Sequence, residues 1–102
     1  MNYNYTLFAL CNNNNLSFIK ISKTSKNAIA LMNEFSISKS PFGYILLKYW
    51  SGIEYYSIKT LVLYHRLLAT HRYKIKETGK LTEWFDTTLE IIDFVVNEIV
   101  AN

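Results

Sequence analysis

One stretch, Leu16–Thr24, constrains the fold more than any other, because an apolar strand-like segment ends there in polar and basic residues. A second apolar run, Tyr3–Cys11, precedes it and has the continuous hydrophobic character of a central strand. Four asparagines, Asn12–Asn15, separate the two runs, and asparagine tolerates the backbone geometry of tight turns. The pattern therefore predicts a β-hairpin.

The rest of the chain alternates between helical and extended patterns, and its 102 residues suffice for one domain with a buried core. The predicted elements are a helix over Ser25–Phe35 that Thr24 or Ser25 caps, a strand over Phe42–Trp50 that Ser51 and Gly52 end, one long helix over Ile53–Arg72, a basic loop over Tyr73–Gly79, a short strand over Lys80–Phe85 and a final helix that ends near Val100. We therefore expect a single domain over residues 1–102 with an α/β (α+β) fold, in which helices flank a small, mainly antiparallel sheet of three to four strands.

Periodicity predicts which side chains face the core. On the second strand, Ile19 and Ile21 share one face, and Phe18 and Lys20 share the other. The first helix is expected to pack on the sheet through Ala28, Leu31, Met32 and Phe35. In the last helix, the expected core residues are Leu89, Ile92, Val95, Val96 and Ile99, the polar stripe is Glu90, Asp93 and Asn97, and the spacing of Thr87 and Glu90 predicts a capping box.

Several features exclude classes of protein. No run approaches the roughly 18 apolar residues of a membrane-spanning helix, and the first residues lack the basic segment of a signal peptide. Cys11 is the single cysteine, so no intrachain disulfide can form, and its place in an apolar run predicts an inert buried thiol. We therefore expect a cytoplasmic protein that makes no contact with membranes.

The net charge of +3 is distributed unevenly along the chain. All eleven basic residues and three acids precede Glu83, which gives residues 1–82 a charge of +8, whereas residues 83–102 carry five acids and no base, which gives −5. A basic body can bind the phosphates of DNA or RNA. The same distribution also fits a soluble surface whose two parts attract each other or a second copy.

Basic and aromatic residues supply a candidate nucleic-acid interface. The candidate phosphate contacts are Lys20, Lys23, Lys26, Arg66 and Arg72, which Lys74 and Lys76 extend. The candidate stacking residues are Tyr3, Tyr5, Tyr55 and Tyr56. The alternative is that these cations are ordinary solvated charges and that the tyrosines pack inside the protein.

No pattern in the chain predicts a metal or a cofactor. His65 and His71 are six residues apart and point to different sides of one helix, so they cannot chelate one metal ion there. His65 lies on the apolar stripe, which favours a hydrogen-bonded histidine in the core. The sequence has no Cys/His cluster, P-loop or GxGxxG motif, so we expect neither metal nor cofactor.

The last helix carries more apolar surface than packing on one sheet usually needs. Ile91 and Phe94 lie at the edge of its core-facing arc, and large exposed apolar patches mark interfaces, although a deep seat in the core explains the surplus as well. Acids on the same helix would complement the basic body of a second copy. We therefore expect a homodimer in which Ile91 and Phe94 take part.

Five short motifs follow one another along the chain. They are Thr6-Leu7-Phe8 in the first strand, Lys20-Ile21-Ser22-Lys23-Thr24 at the end of the second, Pro41-Phe42 before the third, His65 in the long helix and Glu83-Trp84-Phe85 in the last strand. Their order and spacing resemble the GIY-YIG nuclease superfamily, in particular its small phage and viral branch, over nearly the whole chain. The resemblance implies a GIY-YIG-like fold and descent from nucleases.

The positions to which this resemblance assigns catalysis carry unsuitable residues. The family's first-motif tyrosine corresponds to Phe8, its motif glycine to Ser22, and its arginine falls near Leu31. The turn that carries its metal-binding glutamate corresponds to Ile58–Leu61, which contains no acid, and Glu54 is the nearest carboxylate. Phosphodiester hydrolysis needs charge stabilisation at the phosphate and a metal or base for water. We therefore expect no nuclease activity.

The sequence thus predicts a catalytically inactive GIY-YIG-like domain that binds nucleic acid. The alternative is a protein–protein interaction module, such as a phage or viral factor that acts on host proteins or associates with itself. A retained nuclease activity is the third reading. Affinity for nucleic acid that falls steeply with salt separates the first reading from the second.

Overall fold

One antiparallel sheet of five strands carries helices on both of its faces. The computed structural model describes residues 4–12, 15–35, 44–54 and 56–101. In chain order the elements are β1 (Tyr5–Asn12), β2 (Asn15–Thr24), α1 (Ala28–Glu34), β3 (Tyr44–Ile53), α2 (Ile58–Leu63), a single-turn 3₁₀ helix (Ala69–His71), β4 (Arg72–Lys74), β5 (Leu81–Asp86) and α3 (Leu89–Ala101). The strand order is β3-β1-β2-β5-β4, and every neighbouring pair is antiparallel. The predicted α+β class is confirmed, with one strand more than the three to four expected.

The predicted hairpin is confirmed by the pairing of β1 with β2. Asn12 pairs with Asn15 at its closed end, and the register continues to Thr6 opposite Thr24. Some expectations concern residues outside the described part of the chain. They are the predicted strand starts at Tyr3 and Phe42, the Pro41-Phe42 motif and the candidate stacking residue Tyr55.

The strands divide their side chains between two faces, which we name after the helices that cover them. The α3 face is packed by α2 and α3, and the fully buried residues of this core include Leu7, Ala9, Ile19, Ile21, Phe85, Ile92, Val95 and Val96. On the α1 face, Phe8 and Leu10 form a smaller apolar cluster with Leu31 of α1. Because Ile19 and Ile21 belong to the α3-face core, the predicted alternation along β2 is confirmed.

The predicted long helix over Ile53–Arg72 is wrong. β3 extends to Ile53, α2 spans only six residues, and β4 begins at Arg72. The side chain of His65 explains the early end of α2, because its Nδ1 accepts a hydrogen bond from the backbone N–H of Leu67 at 3.1 Å. A side chain that captures a backbone donor removes that donor from the helical hydrogen-bond series.

The predicted end of the third strand at Trp50 is also wrong, because β3 continues through Ser51 and Gly52. Gly52 has a φ of +70°, and the register of β1 against β3 shifts by one residue between Tyr5 and Leu7. A glycine in the left-handed region beside a register shift is typical of a β-bulge. This glycine therefore bends the strand instead of ending it.

Helix α1 begins three residues later than predicted. The side chain of Asn27 caps it by accepting a hydrogen bond, at 2.8 Å, from the backbone N–H three residues later. Thr24 instead accepts a hydrogen bond from the backbone N–H of Lys26 in the preceding turn. Leu31 is buried as predicted, whereas Met32 is exposed and does not pack on the sheet.

The predicted last helix is confirmed as α3, and three of its expected core residues are fully buried: Ile92, Val95 and Val96. Its cap lies one residue later than predicted. The hydroxyl of Thr88, not that of Thr87, accepts a hydrogen bond from the backbone N–H of Ile91 at 3.4 Å.

Candidate nucleic-acid interface

Lys20 lies on the α1 face of β2, directly opposite Trp84 of β5. Phe18 points to the same face, as alternation predicts, and Asp86 is its partner across the strands. Lys20 is half-buried, and none of the ion pairs formed among the described residues includes its ammonium group. Its charge is therefore available at a surface formed by aromatic side chains.

Four aromatic side chains form a row on this face. This aromatic row consists of Tyr44, Trp84, Phe18 and Tyr73. The rings of Trp84 and Phe18 stack, with centroids 4.8 Å apart and an interplanar angle of 14°. Tyr73 meets Phe18 edge to face at 5.4 Å, and Tyr44 lies 5.8 Å from Trp84. Each ring comes from a different strand, so no local pattern of the sequence reveals the row.

The aromatic row is partly open to solvent. Tyr73 is 50% exposed, and the other three rings are half-buried. Partly exposed rings beside a lysine can stack with bases while the cation meets a phosphate. Sequence reasoning missed the row, although it had placed Phe18 and Lys20 on one face. The missing information was the pairing of β2 with β5, which adds Trp84.

The turn between β4 and β5 adds positive charge close to Tyr73 in the chain. It carries Lys74, Lys76 and Lys80 with one acid, Glu77, and all four residues are exposed. Hydrogen bonds between the backbones of residues 75 and 80 and of residues 75 and 79 close the turn. The lysines are therefore presented by an ordered hairpin.

Lys23 points to the opposite face of β2 and is held by contacts within the chain. Its Nζ lies 3.6 Å from the ring centroid of Tyr56 and 5.0 Å from that of Tyr5. The same ammonium donates a hydrogen bond to the Tyr56 carbonyl at 2.5 Å. Tyr5 and Tyr56 also meet edge to face at 5.8 Å. These two candidate stacking residues thus bind a lysine of their own chain.

The other predicted cations do not join Lys20. Lys26 pairs with Glu34 of α1 at 2.7 Å. Arg72 donates a hydrogen bond through Nε to the Thr82 carbonyl at 2.9 Å, and its guanidinium lies 5.3 Å from the Tyr64 ring. Arg66 is exposed in the turn after α2. The structure therefore distributes the five candidates over several parts of the surface.

Phe8 and Leu31, to which the resemblance assigns the family's tyrosine and arginine, pack in one apolar cluster. Phe8 is 7% exposed and Leu31 1%, and the Phe35 ring lies 5.8 Å from that of Phe8. Ser22 pairs with Phe8 across the strands. The fold thus brings these positions together, but two of them are buried apolar side chains that cannot move a proton or bind a phosphate.

Glu54 is exposed after the end of β3, and the segment Ile58–Leu61 begins α2 on the other face of the sheet. Among the described residues, no group of three His, Cys, Asp or Glu side chains is placed to hold a metal ion.

Two ion pairs, Lys48–Asp93 and Lys59–Glu83, join the acidic last part of the chain to the basic body. His65 makes a further contact of this kind, because its Nε2 lies 3.5 Å from Glu98 Oε2. The acidic last part of the chain and the basic body therefore attract each other within one molecule, which was one of the explanations for the uneven charge.

Asp93, a member of the predicted polar stripe of the last helix, docks α3 onto β3. Its Oδ1 accepts hydrogen bonds from Lys48 Nζ at 2.6 Å and from Trp50 Nε1 at 2.9 Å. These two hydrogen bonds lower the pKa of the Asp93 carboxyl, and they outweigh the opposing effect of burial.

His65 is a hydrogen-bonded histidine, as predicted, although it lies just after α2. Because its Nδ1 accepts the Leu67 N–H, the neutral ring carries its proton on Nε2, which faces Glu98 Oε2 at 3.5 Å.

Ile91 and Phe94 lie on the outer surface of α3, where they are 39% and 58% exposed. Together with Leu67, His71 and Glu90 they line a shallow groove between α3 and the segment after α2. Their side chains therefore lie outside the core, and their participation in a dimer stays a prediction.

Cys11 is fully buried in the α3-face core, as predicted, and burial raises the pKa of its thiol. In the part of the chain that the structure describes, the helices are too short or too polar to cross a membrane.

A comparison with protein-family models matches residues 2–100 to the T5orf172 domain. That family is related to GIY-YIG and homing-endonuclease-like folds, which agrees with the resemblance in its broad form. No curated protein and no solved structure gives a significant match.

Proposed function

The chain belongs to the T5orf172 domain family, and we propose that it binds nucleic acid through the α1 face of its sheet without cleaving it. The observation that carries this proposal is the position of Lys20 beside the aromatic row, opposite Trp84. The lysines of the β4–β5 turn supply further positive charge. Phosphate contacts give affinity and aromatic stacking adds to it, as is typical of sequence-tolerant nucleic-acid binding.

The absence of cleavage is proposed from the apolar cluster of Phe8 and Leu31. A nuclease needs groups there that stabilise charge on the phosphate or activate water. Incubation of DNA or RNA with the protein and Mg²⁺ or Mn²⁺ should leave the substrate intact. Cleavage that is lost in a Glu54→Ala variant would overturn this part of the proposal and make Glu54 a metal ligand.

Binding is tested by fluorescence anisotropy of a labelled oligonucleotide of about 20 nucleotides, which is longer than one such binding site. The test compares Lys20→Glu with Lys26→Glu, because both variants change the net charge equally. We expect Lys20→Glu to weaken binding about tenfold at low salt and to reduce the slope of log affinity against log salt by about one or more. Lys26→Glu should stay within about twofold of the parent, because Lys26 is already paired with Glu34.

Two outcomes contradict the binding proposal. One is a parent protein that binds no oligonucleotide at low salt. The other is an equal loss in both variants, which would mean that only the total charge matters. Asp86→Asn provides a test of opposite sign, because Asp86 lies opposite Phe18 and its charge repels phosphate. This variant should bind a few-fold more tightly than the parent.

A second candidate function is self-association through α3, and the exposure of Ile91 and Phe94 favours it. Glu90 and His71 line the same groove. Two copies related by a two-fold axis can bury these apolar side chains against each other. The two functions use different surfaces and can be tested separately.

A further inference from the structure

We infer that the nucleic acid bound at the aromatic row is single-stranded, and that one of its bases stacks on Tyr73. This inference rests on the proposed function and goes further, because it names the form of the ligand and the residue that distinguishes it. Tyr73 is the most exposed ring of the row and lies at its end.

The ring of Tyr73 is ordered before any ligand arrives. Phe18 meets it edge to face at 5.4 Å, and Phe18 is itself stacked on Trp84 at 4.8 Å. In addition, the Tyr73 carbonyl accepts a hydrogen bond from the Thr82 hydroxyl at 2.9 Å, which ties β4 to β5. A ring held in this way loses little conformational freedom when a base stacks on it.

The single-stranded form follows from the kind of surface. The bases of a duplex are stacked on one another, so their faces cannot reach a protein ring unless the duplex is opened, which costs free energy. A duplex therefore gains only the phosphate contacts of Lys20 and of the β4–β5 lysines. A single strand gains these contacts and a stacked base as well, because its bases can turn outward.

The experiment measures the affinity of the protein for a labelled oligonucleotide of mixed sequence and about 20 nucleotides. The oligonucleotide is used as a single strand and, in a second measurement, annealed to its complement, at the same low salt concentration. The variants are Tyr73→Ala, Tyr73→Phe and Tyr64→Ala. Tyr64 is a suitable control because it is 68% exposed and contacts Arg72, away from the aromatic row.

We expect the parent to bind the single strand about tenfold or more tightly than the duplex, on the basis of one stacked base. Tyr73→Ala should weaken single-strand binding about tenfold and leave duplex binding unchanged within about twofold. Tyr73→Phe keeps the ring and should bind both forms like the parent, as should Tyr64→Ala.

A second readout does not depend on how the Tyr73 variants fold. In a Trp50→Phe protein, Trp84 is the remaining tryptophan, and its fluorescence should change when the single strand binds beside it. The duplex should change it much less.

The outcomes separate this inference from the proposed function. Binding of both forms with equal affinity, or an equal loss for both forms in Tyr73→Ala, overturns the inference and leaves nucleic-acid binding in place. Absence of binding to either form removes both. Tighter binding of the duplex, without a fluorescence change from Trp84, identifies a ligand that meets the protein through its phosphates alone.

Discussion

In the part of the chain that the structure describes, two helices cover the α3 face of the sheet, whereas one short helix covers part of the α1 face. The α3 face is closed by a continuous apolar core and by two ion pairs that attach the last part of the chain to the body. The α1 face has a small apolar cluster under α1 and, next to it, the partly exposed aromatic row. The same alternating strands therefore supply stability on one side of the sheet and a candidate binding surface on the other.

Three consecutive residues of β5 show this division. Glu83 pairs with Lys59 of α2, Trp84 stacks in the aromatic row, and Phe85 is fully buried in the α3-face core. Substitutions at neighbouring positions should therefore affect different properties of the protein. Single substitutions on the two faces should lower the free energy of unfolding by different amounts.

The largest effect should come from Phe85→Ala. Removal of a fully buried phenylalanine leaves a cavity and should lower the free energy of unfolding by about 3–5 kcal/mol. Trp84→Ala should lower it by less than half as much, since that ring is partly exposed and loses mainly its aromatic contacts. Urea denaturation of both variants measures the difference. Equal losses would mean that the aromatic row belongs to the core.

Asp93→Ala should lower the free energy of unfolding by about 2 kcal/mol at pH 7, because Lys48 and Trp50 lose their acceptor. The pKa of Asp93 is lowered in the folded protein, so its contribution is present above the ordinary carboxyl value of about 4 and is lost as the pH falls below it. Urea midpoints measured from neutral to acidic pH should therefore fall less in the variant than in the parent.

Glu34→Ala is the matched control for this prediction on the α1 side. The Lys26–Glu34 pair is about half exposed, so its loss should cost less than about 1 kcal/mol. A larger cost than that of Asp93→Ala would contradict the view that the two sides contribute unequally.

Phe8→Tyr restores the residue that the nuclease resemblance expects at this position. The new hydroxyl enters an apolar cluster, and we expect the free energy of unfolding to fall by about 1 kcal/mol. Thermal or urea denaturation measures the loss, and a cleavage assay with Mn²⁺ should stay negative. An unchanged stability combined with new cleavage would show that the cluster is a dormant active site.

The smallest effect on stability should come from Ile91→Lys combined with Phe94→Lys, because both side chains are exposed. At protein concentrations where the parent is also monomeric, we expect a change of a few tenths of a kcal/mol. At higher concentrations the variant should sediment as a monomer and the parent as a dimer. Ile29→Lys with Met32→Lys is the matched control, since this pair is 72% and 52% exposed on α1 and should leave the association unchanged. A parent that sediments as a monomer would exclude the dimer.

Local patterns were sufficient for the hairpin, for β5 and for the buried stripe of α3. They were also sufficient for the alternation that places Ile19 and Ile21 inside. The positions to which the nuclease resemblance assigns catalysis could also be located, because the resemblance rests on residue identity. Errors arose where a single residue changed the course of the backbone. His65 ends the helical series after α2, and Gly52 bends β3 without ending it.

The periodicity of β1, β2, β5 and α3 follows from the sequence, because a strand or helix pattern depends on neighbours along the chain. The tertiary structure alone decided which distant residues meet. The pairing of β2 with β5 brings Lys20 beside Trp84, and the docking of α3 on β3 gives Asp93 its partners. Contacts of this kind depend on how strands and helices pack in three dimensions. For this reason Lys20 lies beside the partly exposed aromatic row, whereas Lys23 is held by Tyr5 and Tyr56 and Lys26 pairs with Glu34.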